Sequence, residues 1–172
     1  MITHIQGKMV EKNPDHVVVE CNGLGYHVNI SLQTFSNIPD QENLKLYTHL
    51  VIREDAHILY GFYSKTEREI FKMLISVSGV GPSIAMTMLS SMDTEEIQQA
   101  IGSEDTPKIQ SVKGIGQKTA QRVIVDLKDK ILKTYEISEE LPGSNNTIKI
   151  EALSALEVLG FSRKKIEKVI QV

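Results

Sequence analysis

Ser76-Val77-Ser78-Gly79-Val80-Gly81-Pro82-Ser83-Ile84-Ala85 returns 35 residues later as Ser111-Val112-Lys113-Gly114-Ile115-Gly116-Gln117-Lys118-Thr119-Ala120. Each copy leaves one helical pattern, passes through Gly-apolar-Gly and enters another. A single motif of this kind is weak, because any tight turn between helices uses glycine to reach positive φ. Two copies in matching contexts are stronger, and they read as a tandem helix-hairpin-helix unit. The glycines let a ligand approach the backbone closely. The helix that follows offers unpaired N–H groups and the positive end of its dipole. Together these make an anion site that fits a phosphate. A site of this kind reads nucleic-acid backbone rather than bases. Lys113, Lys118 and Arg122 add cations at the second copy, whereas the first has Pro82-Ser83. Val80 and Ile115, between the glycines, are expected to place their side chains in the core.

Around this unit the chain reads as helical from residue 63 to 135. Ser64-Lys65-Thr66-Glu67 reads as a capping box, with Ile70, Phe71, Leu74 and Ile75 following at helical spacing. Asp93 and Glu96 open a further helix, and Thr106-Pro107 another, with proline at its first position. The longest candidate, 117–133, carries Ala120, Val123, Ile124, Leu127 and Ile131 on one stripe. Residues 1–62 have a different pattern. The stretches 16–20, 26–30, 44–50 and 58–62 read as strands, and Asn22-Gly23 is a hairpin turn signal. Roughly five short strands suggest a small oligonucleotide/oligosaccharide-binding (OB) barrel. The polar stretch 136–148, with Pro142-Gly143 and Asn145-Asn146, reads as a flexible linker. Beyond it, 149–172 holds two short helices around Ala152–Leu159 and Ser162–Ile170. The expected class is α+β multidomain: barrel, tandem hairpins and a small C-terminal helical domain.

Composition bounds the chemistry. The chain has 172 residues, a net charge of −3, 41% hydrophobic and 24% charged residues, which excludes a disordered chain. With no Trp, five Tyr and four Phe, large stacking platforms for single strands are not expected. The single cysteine, Cys21, excludes an internal disulfide and reads as a small buried hydrophobe. The first twelve residues lack a signal-peptide core, and no apolar run nears the ~20 residues of a membrane span. A reduced cytoplasmic protein with no membrane role is expected. All five histidines lie before residue 58 without ligand spacing, so no metal site is expected. Gly116-Gln117-Lys118-Thr119 lacks the glycine that a phosphate-binding Walker loop needs before its lysine, so no nucleotide cofactor is expected. Asp126-Leu127-Lys128 sits within a helix without acidic partners and reads as a solvated face. Residues 1–62 carry a net charge of −3, 63–135 of +1 and 136–172 of −1. A nucleic-acid binder usually shows basic excess. Binding here must therefore rest on local placement of a few groups.

Arg53-Glu54-Asp55-Ala56 interrupts two apolar runs, which places Glu54 and Asp55 at the tip of a strand–turn–strand. It is either an ordinary polar turn or, on a DNA-binding surface, a device that repels phosphates.

Three stretches together carry a family likeness. They are Thr48-His49-Leu50-Val51-Ile52-Arg53-Glu54-Asp55-Ala56-His57-Ile58-Leu59-Tyr60-Gly61-Phe62, Ser78-Gly79-Val80-Gly81-Pro82 and Gly114-Ile115-Gly116-Gln117-Lys118-Thr119-Ala120-Gln121-Arg122. The chain resembles, over essentially its whole length, the RuvA family of Holliday-junction DNA-binding subunits. That resemblance implies a homotetramer, or two stacked tetramers, holding four-way junction DNA open and square. It implies DNA contacts at Gly79, Val80, Gly81 and Ser83 in the first hairpin. In the second it implies Gly114, Ile115, Gly116, Lys118, Thr119 and Arg122. Glu54 and Asp55 fall on the family's acidic pin. A mobile C-terminal domain would bind the RuvB ATPase, and the RuvC resolvase would act on the same junction. Relatives commonly have Lys where this chain has Ser83, so the first hairpin is expected to bind mostly through its main chain. They also continue through a third C-terminal helix, so the C-terminal domain is expected to be incomplete at Val172. The function expected is non-enzymatic: shaping a junction so that a motor drives branch migration. Two alternatives remain. One is the non-catalytic module of a repair nuclease or ligase, against which the missing metal-carboxylate cluster and the complete barrel count, and which a cleavage assay with Mg²⁺ would separate. A pure interaction scaffold would fail to shift four-way DNA.

Overall fold

The computed structural model describes the backbone of residues 1–138 and the side chains of residues 1–131, together with residue 156. Its first half is five strands: β1 (His4–Lys12), β2 (His16–Cys21), β3 (Leu24–Ile30), β4 (Asn43–Ile52) and β5 (His57–Phe62). They close into a barrel in the order β1-β2-β3-β5-β4. Every pairing is antiparallel except β3 with β5. The inward side chains include Val17, Val19, Val28, Ile30, Leu44 and Leu46. They alternate with less buried positions such as Val18, Asn29 and Lys45, as the two faces of a barrel strand require. Asn22 (φ 51) and Gly23 (φ 84) both adopt the left-handed region and join β2 to β3, the geometry of a two-residue hairpin loop.

β1 was not among the strands read from the sequence, because Gly7 interrupts its inward apolar positions between Ile5 and the partly buried Met9. Ile5 is its one fully buried residue. At Gly7 a Cβ would lie 2.1 Å from the Glu20 carbonyl oxygen, so the closeness of β2 requires glycine there. Cys21 also departs from expectation. It is half-buried rather than enclosed, and its Sγ donates to the Gln6 carbonyl at 3.2 Å. A short helix, α1 (Leu32–Asn37), stands between β3 and β4 and was not read from the sequence. Ser31 caps it by accepting from the Thr34 N–H at 2.9 Å.

From residue 63 the described chain is helical: α2 (Lys65–Ile75), α3 (Pro82–Ser91), α4 (Thr94–Gly102), α5 (Thr106–Gln110) and α6 (Gln117–Ser138). Asp93 and Glu96 form a complete capping box on α4. On α2 only half of the expected box forms. Ser64 Oγ accepts from the Glu67 N–H at 3.0 Å, but the Glu67 carboxylate turns inward instead of back. It is 2% exposed and accepts from Ser31 Oγ at 2.5 Å and Thr34 Oγ1 at 2.6 Å. Thr34 Oγ1 in turn accepts from the Tyr63 N–H at 3.1 Å. This network joins α2 to α1, and so the helices to the barrel. Burial pushes the Glu67 carboxyl above its ordinary range, opposed by the two hydroxyl donors.

Two boundaries differ from expectation. Asp105, not Thr106, caps α5, which puts Pro107 in the second helical position. α6 runs to Ser138, past the expected helix end and into the expected linker, because nothing in 134–138 breaks a helix. Its predicted stripe is buried at every position: Ala120, Val123, Ile124, Leu127 and Ile131. Residues 1–131 form one compact unit. The remainder of the expected linker and the two C-terminal helices lie outside the described residues, apart from Leu156, which is helical. Among the described residues no helix is long and apolar enough to cross a membrane.

Candidate nucleic-acid interface

The two repeats fold alike. In the first hairpin the Val80 N–H donates to the Val77 carbonyl, and in the second the Ile115 N–H donates to the Val112 carbonyl, both at 3.0 Å. Gly79 has φ +96 and Gly114 φ +93, so each turn passes through the region that favours glycine. Val77, Val80, Val112 and Ile115 are all buried. Val80 and Ile115 therefore anchor the turns from beneath, and only their main chain reaches the surface side.

The hairpins also pack on one another reciprocally. A Cβ at Gly79 would lie 3.7 Å from Thr119 Oγ1, and one at Gly114 would lie 3.7 Å from Ile84 Cγ1. Ile84 and Thr119 are repeat mates, so the arrangement is an approximate internal two-fold. Gly81 and Gly116 do the opposite of packing. A Cβ at either meets nothing within 4 Å. Each opens a helix: the Ala85 N–H bonds the Gly81 carbonyl, and the Ala120 N–H bonds the Gly116 carbonyl. The α1, α2, α4 and α5 N-termini are capped by Ser31, Ser64, Asp93 and Asp105 side chains, whereas Gly81 gives α3 no side-chain cap. The first N–H groups of α3 stay available to a ligand.

Charge is placed locally. Lys72, Lys108 and Lys128 are held by Glu69, Glu96 and Glu104 respectively. Lys113 and Lys118 are exposed beside the second hairpin and enter no ion pair among the described residues. Arg122 is exposed, and its Nη1 donates to the Ser78 carbonyl at 3.2 Å. The sequence assigned Arg122 to the second hairpin, but the hydrogen bond it makes among the described residues is to the first. Ser83 is exposed and lines an open groove of about 540 Å³ between α3 and the barrel residues Asn29 and Tyr60. Glu54 and Asp55 are exposed between β4 and β5, where the Arg53 N–H donates to the Ala56 carbonyl at 2.8 Å. Neither acid has a cationic partner among the described residues.

Residues 1–61 match the family model described as the RuvA N terminal domain, and residues 71–129 match a SAM-like helix-hairpin-helix tandem. A protein of Flavobacterium psychrophilum is 61% identical over 171 residues, covering 99% of this chain and 89% of its own. One of Christiangramia forsetii is 60% identical with the same coverage. A third, of Cytophaga hutchinsonii, is 49% identical over 98% of this chain and 87% of its own. All three are named Holliday junction branch migration complex subunit RuvA. This chain belongs to the RuvA family.

The first matched segment of this RuvA-family chain ends within β5, and the second runs from within α2 to within α6. The match therefore divides where strands give way to helices. The histidines take structural places, one on each strand. His16 and His27 stack with centroids 4.4 Å apart, and His49 lies edge-on to Phe71 at 5.6 Å. Burial, and then Lys72 and Arg68, lower the His49 pKa. Among the described residues no group of three or more His, Cys, Asp or Glu could hold a metal ion. The sequence reading missed the Ser31–Thr34–Glu67 network. Its one local signal was a Glu at the third position of α2, which reads equally well as a capping residue.

Proposed function

We propose that this chain binds four-way DNA junctions through their phosphate backbones and holds the arms open and square while a partner ATPase drives branch migration in recombination and repair. It is the non-catalytic subunit of that machine; the motor supplies the work. The observation that carries this reading is the pair of matching hairpins with open glycines at their exits. The strands of a duplex are themselves related by local two-folds, so each hairpin meets one strand. Gly79 to Gly81 and Gly114 to Gly116 present main chain, with Thr119 packed between the turns. Lys118 and Arg122 supply charge that is local rather than global, which suits a chain of net charge −3.

Four copies around a centre multiply these contacts, as one homotetramer or two stacked. Glu54 and Asp55 then stand at the crossover as an acidic pin. The C-terminal domain engages the RuvB motor, RuvC works on the same junction, and the setting is the cytoplasm. An electrophoretic mobility shift tests the reading. Four-way DNA should bind more tightly than linear duplex of the same sequence, and scrambling the sequence should not matter. Equal affinity for the linear duplex contradicts it.

A further inference from the structure

We infer that the phosphate site of the first hairpin is composite, built from the main chain of Gly79-Val80-Gly81 and the guanidinium of Arg122 from the second repeat. This deepens the reading of the hairpins as phosphate sites and rests on it. Residues 76–85 contain no Lys or Arg, and nearby Lys72 is tied to Glu69 at 2.8 Å. Ser83, the repeat mate of Lys118, lines the groove against the barrel. The first hairpin therefore has no cation of its own. α6 provides one. Thr119 lies against Gly79, and Arg122, one turn further on, bonds the carbonyl of Ser78 at 3.2 Å.

The internal two-fold shows that this link runs one way. The mate of the Thr119–Gly79 contact exists, because Ile84 lies against Gly114. The mate of Arg122 is Thr87, whose hydroxyl donates to the Ser83 carbonyl within its own helix at 2.9 Å. So α6 lends a cation to the first hairpin, α3 lends none to the second, and the second has Lys113 and Lys118 instead. A bond to a neutral carbonyl leaves the guanidinium charge intact and most of its five N–H donors free. Held in place before DNA arrives, Arg122 loses less freedom on binding than a mobile side chain.

Double-mutant cycles on the full chain test this, read as affinity for a four-way junction. The variants are Arg122→Ala, Gly81→Ala, Gly116→Ala and the two pairs containing Arg122→Ala. A methyl at Gly81 or Gly116 meets nothing within 4 Å, and Gly81 has φ −84, so thermal melting should match the parent. Each single change is expected to weaken binding by about tenfold, the scale of one charge-assisted contact. Arg122→Ala with Gly81→Ala should fall short of the product of the singles by at least ~threefold, while Arg122→Ala with Gly116→Ala should equal the product. Coupling to Gly116 instead, no coupling to either, or no effect of Arg122→Ala overturns the composite site and leaves the hairpins as phosphate sites. If neither glycine change weakens binding while melting is unchanged, the phosphate reading of the hairpins falls and the composite site falls with it.

Discussion

Gly79 and Gly81 are two residues apart and do different things. Gly79 (φ +96) and its mate Gly114 (φ +93) are required by backbone geometry, whereas Gly81 and Gly116 leave open space in front of a helix start. Gly114→Val should therefore act on folding. A β-branched residue in the left-handed region is strained by roughly 1–2 kcal/mol or more, which urea denaturation would read as a lower midpoint. An unchanged midpoint would show that the turn does not depend on this φ. Glu67 makes a second residue-scale case. Glu67→Ala leaves the buried Ser31 and Thr34 hydroxyls without their acceptor, for an expected loss of about 2–4 kcal/mol in the same assay. The pH dependence follows from the raised carboxyl. Between the ordinary and the raised value the native state binds more protons than the unfolded state. The contribution of Glu67 is thus fully present below its unfolded pKa and is lost as pH rises through the folded one. Against Glu67→Gln, the parent should lose relative stability across that window. A constant difference would mean that the carboxyl titrates normally.

At the scale of elements, legibility tracked how local each cause is. The α4 capping box lies within four residues, and the α6 stripe within one helix, so both were readable from the sequence. So was the Asn22-Gly23 hairpin. β1 was not, because the residue that fits its inner face, Gly7, answers to the Glu20 carbonyl on another strand. The turn of Glu67 depends on Ser31 and Thr34, and the placement of Arg122 on Ser78, all more than 30 residues away. The hairpin glycines were legible as a pair but not by role, since φ does not show in a repeat. The barrel, both hairpins and the acidic turn all lie within the unit 1–131. Ending the chain after Ser138 should therefore leave junction affinity within about twofold, because every phosphate contact proposed above lies within that unit, while the proposed binding to the motor should be lost. Loss of junction affinity in that truncation would place part of the DNA interface beyond α6.

At the scale of the whole molecule, the proposed function predicts that charge sets how tightly a junction is held and at what selectivity. Residues 1–62 carry net −3 and end near exposed Glu54 and Asp55. If phosphates converge there, each like-charge contact near 4 Å is unfavourable by about 1 kcal/mol in bulk water. Salt confines the effect to about 10 Å around the turn. Changing Glu54→Gln with Asp55→Asn should tighten binding to junction and to linear duplex alike, with the larger gain for duplex and so weaker selectivity. Unchanged affinity for both in a mobility shift would make this an ordinary polar turn. On the proposed function, the paired hairpins hold DNA by its backbone at two open glycines. The most direct measurement is the junction affinity of the Gly81→Ala, Gly116→Ala double variant beside its melting curve. With two independent contacts of about tenfold each, the account predicts a loss of about a hundredfold with melting unchanged. Full affinity in a normally folded double variant would contradict it.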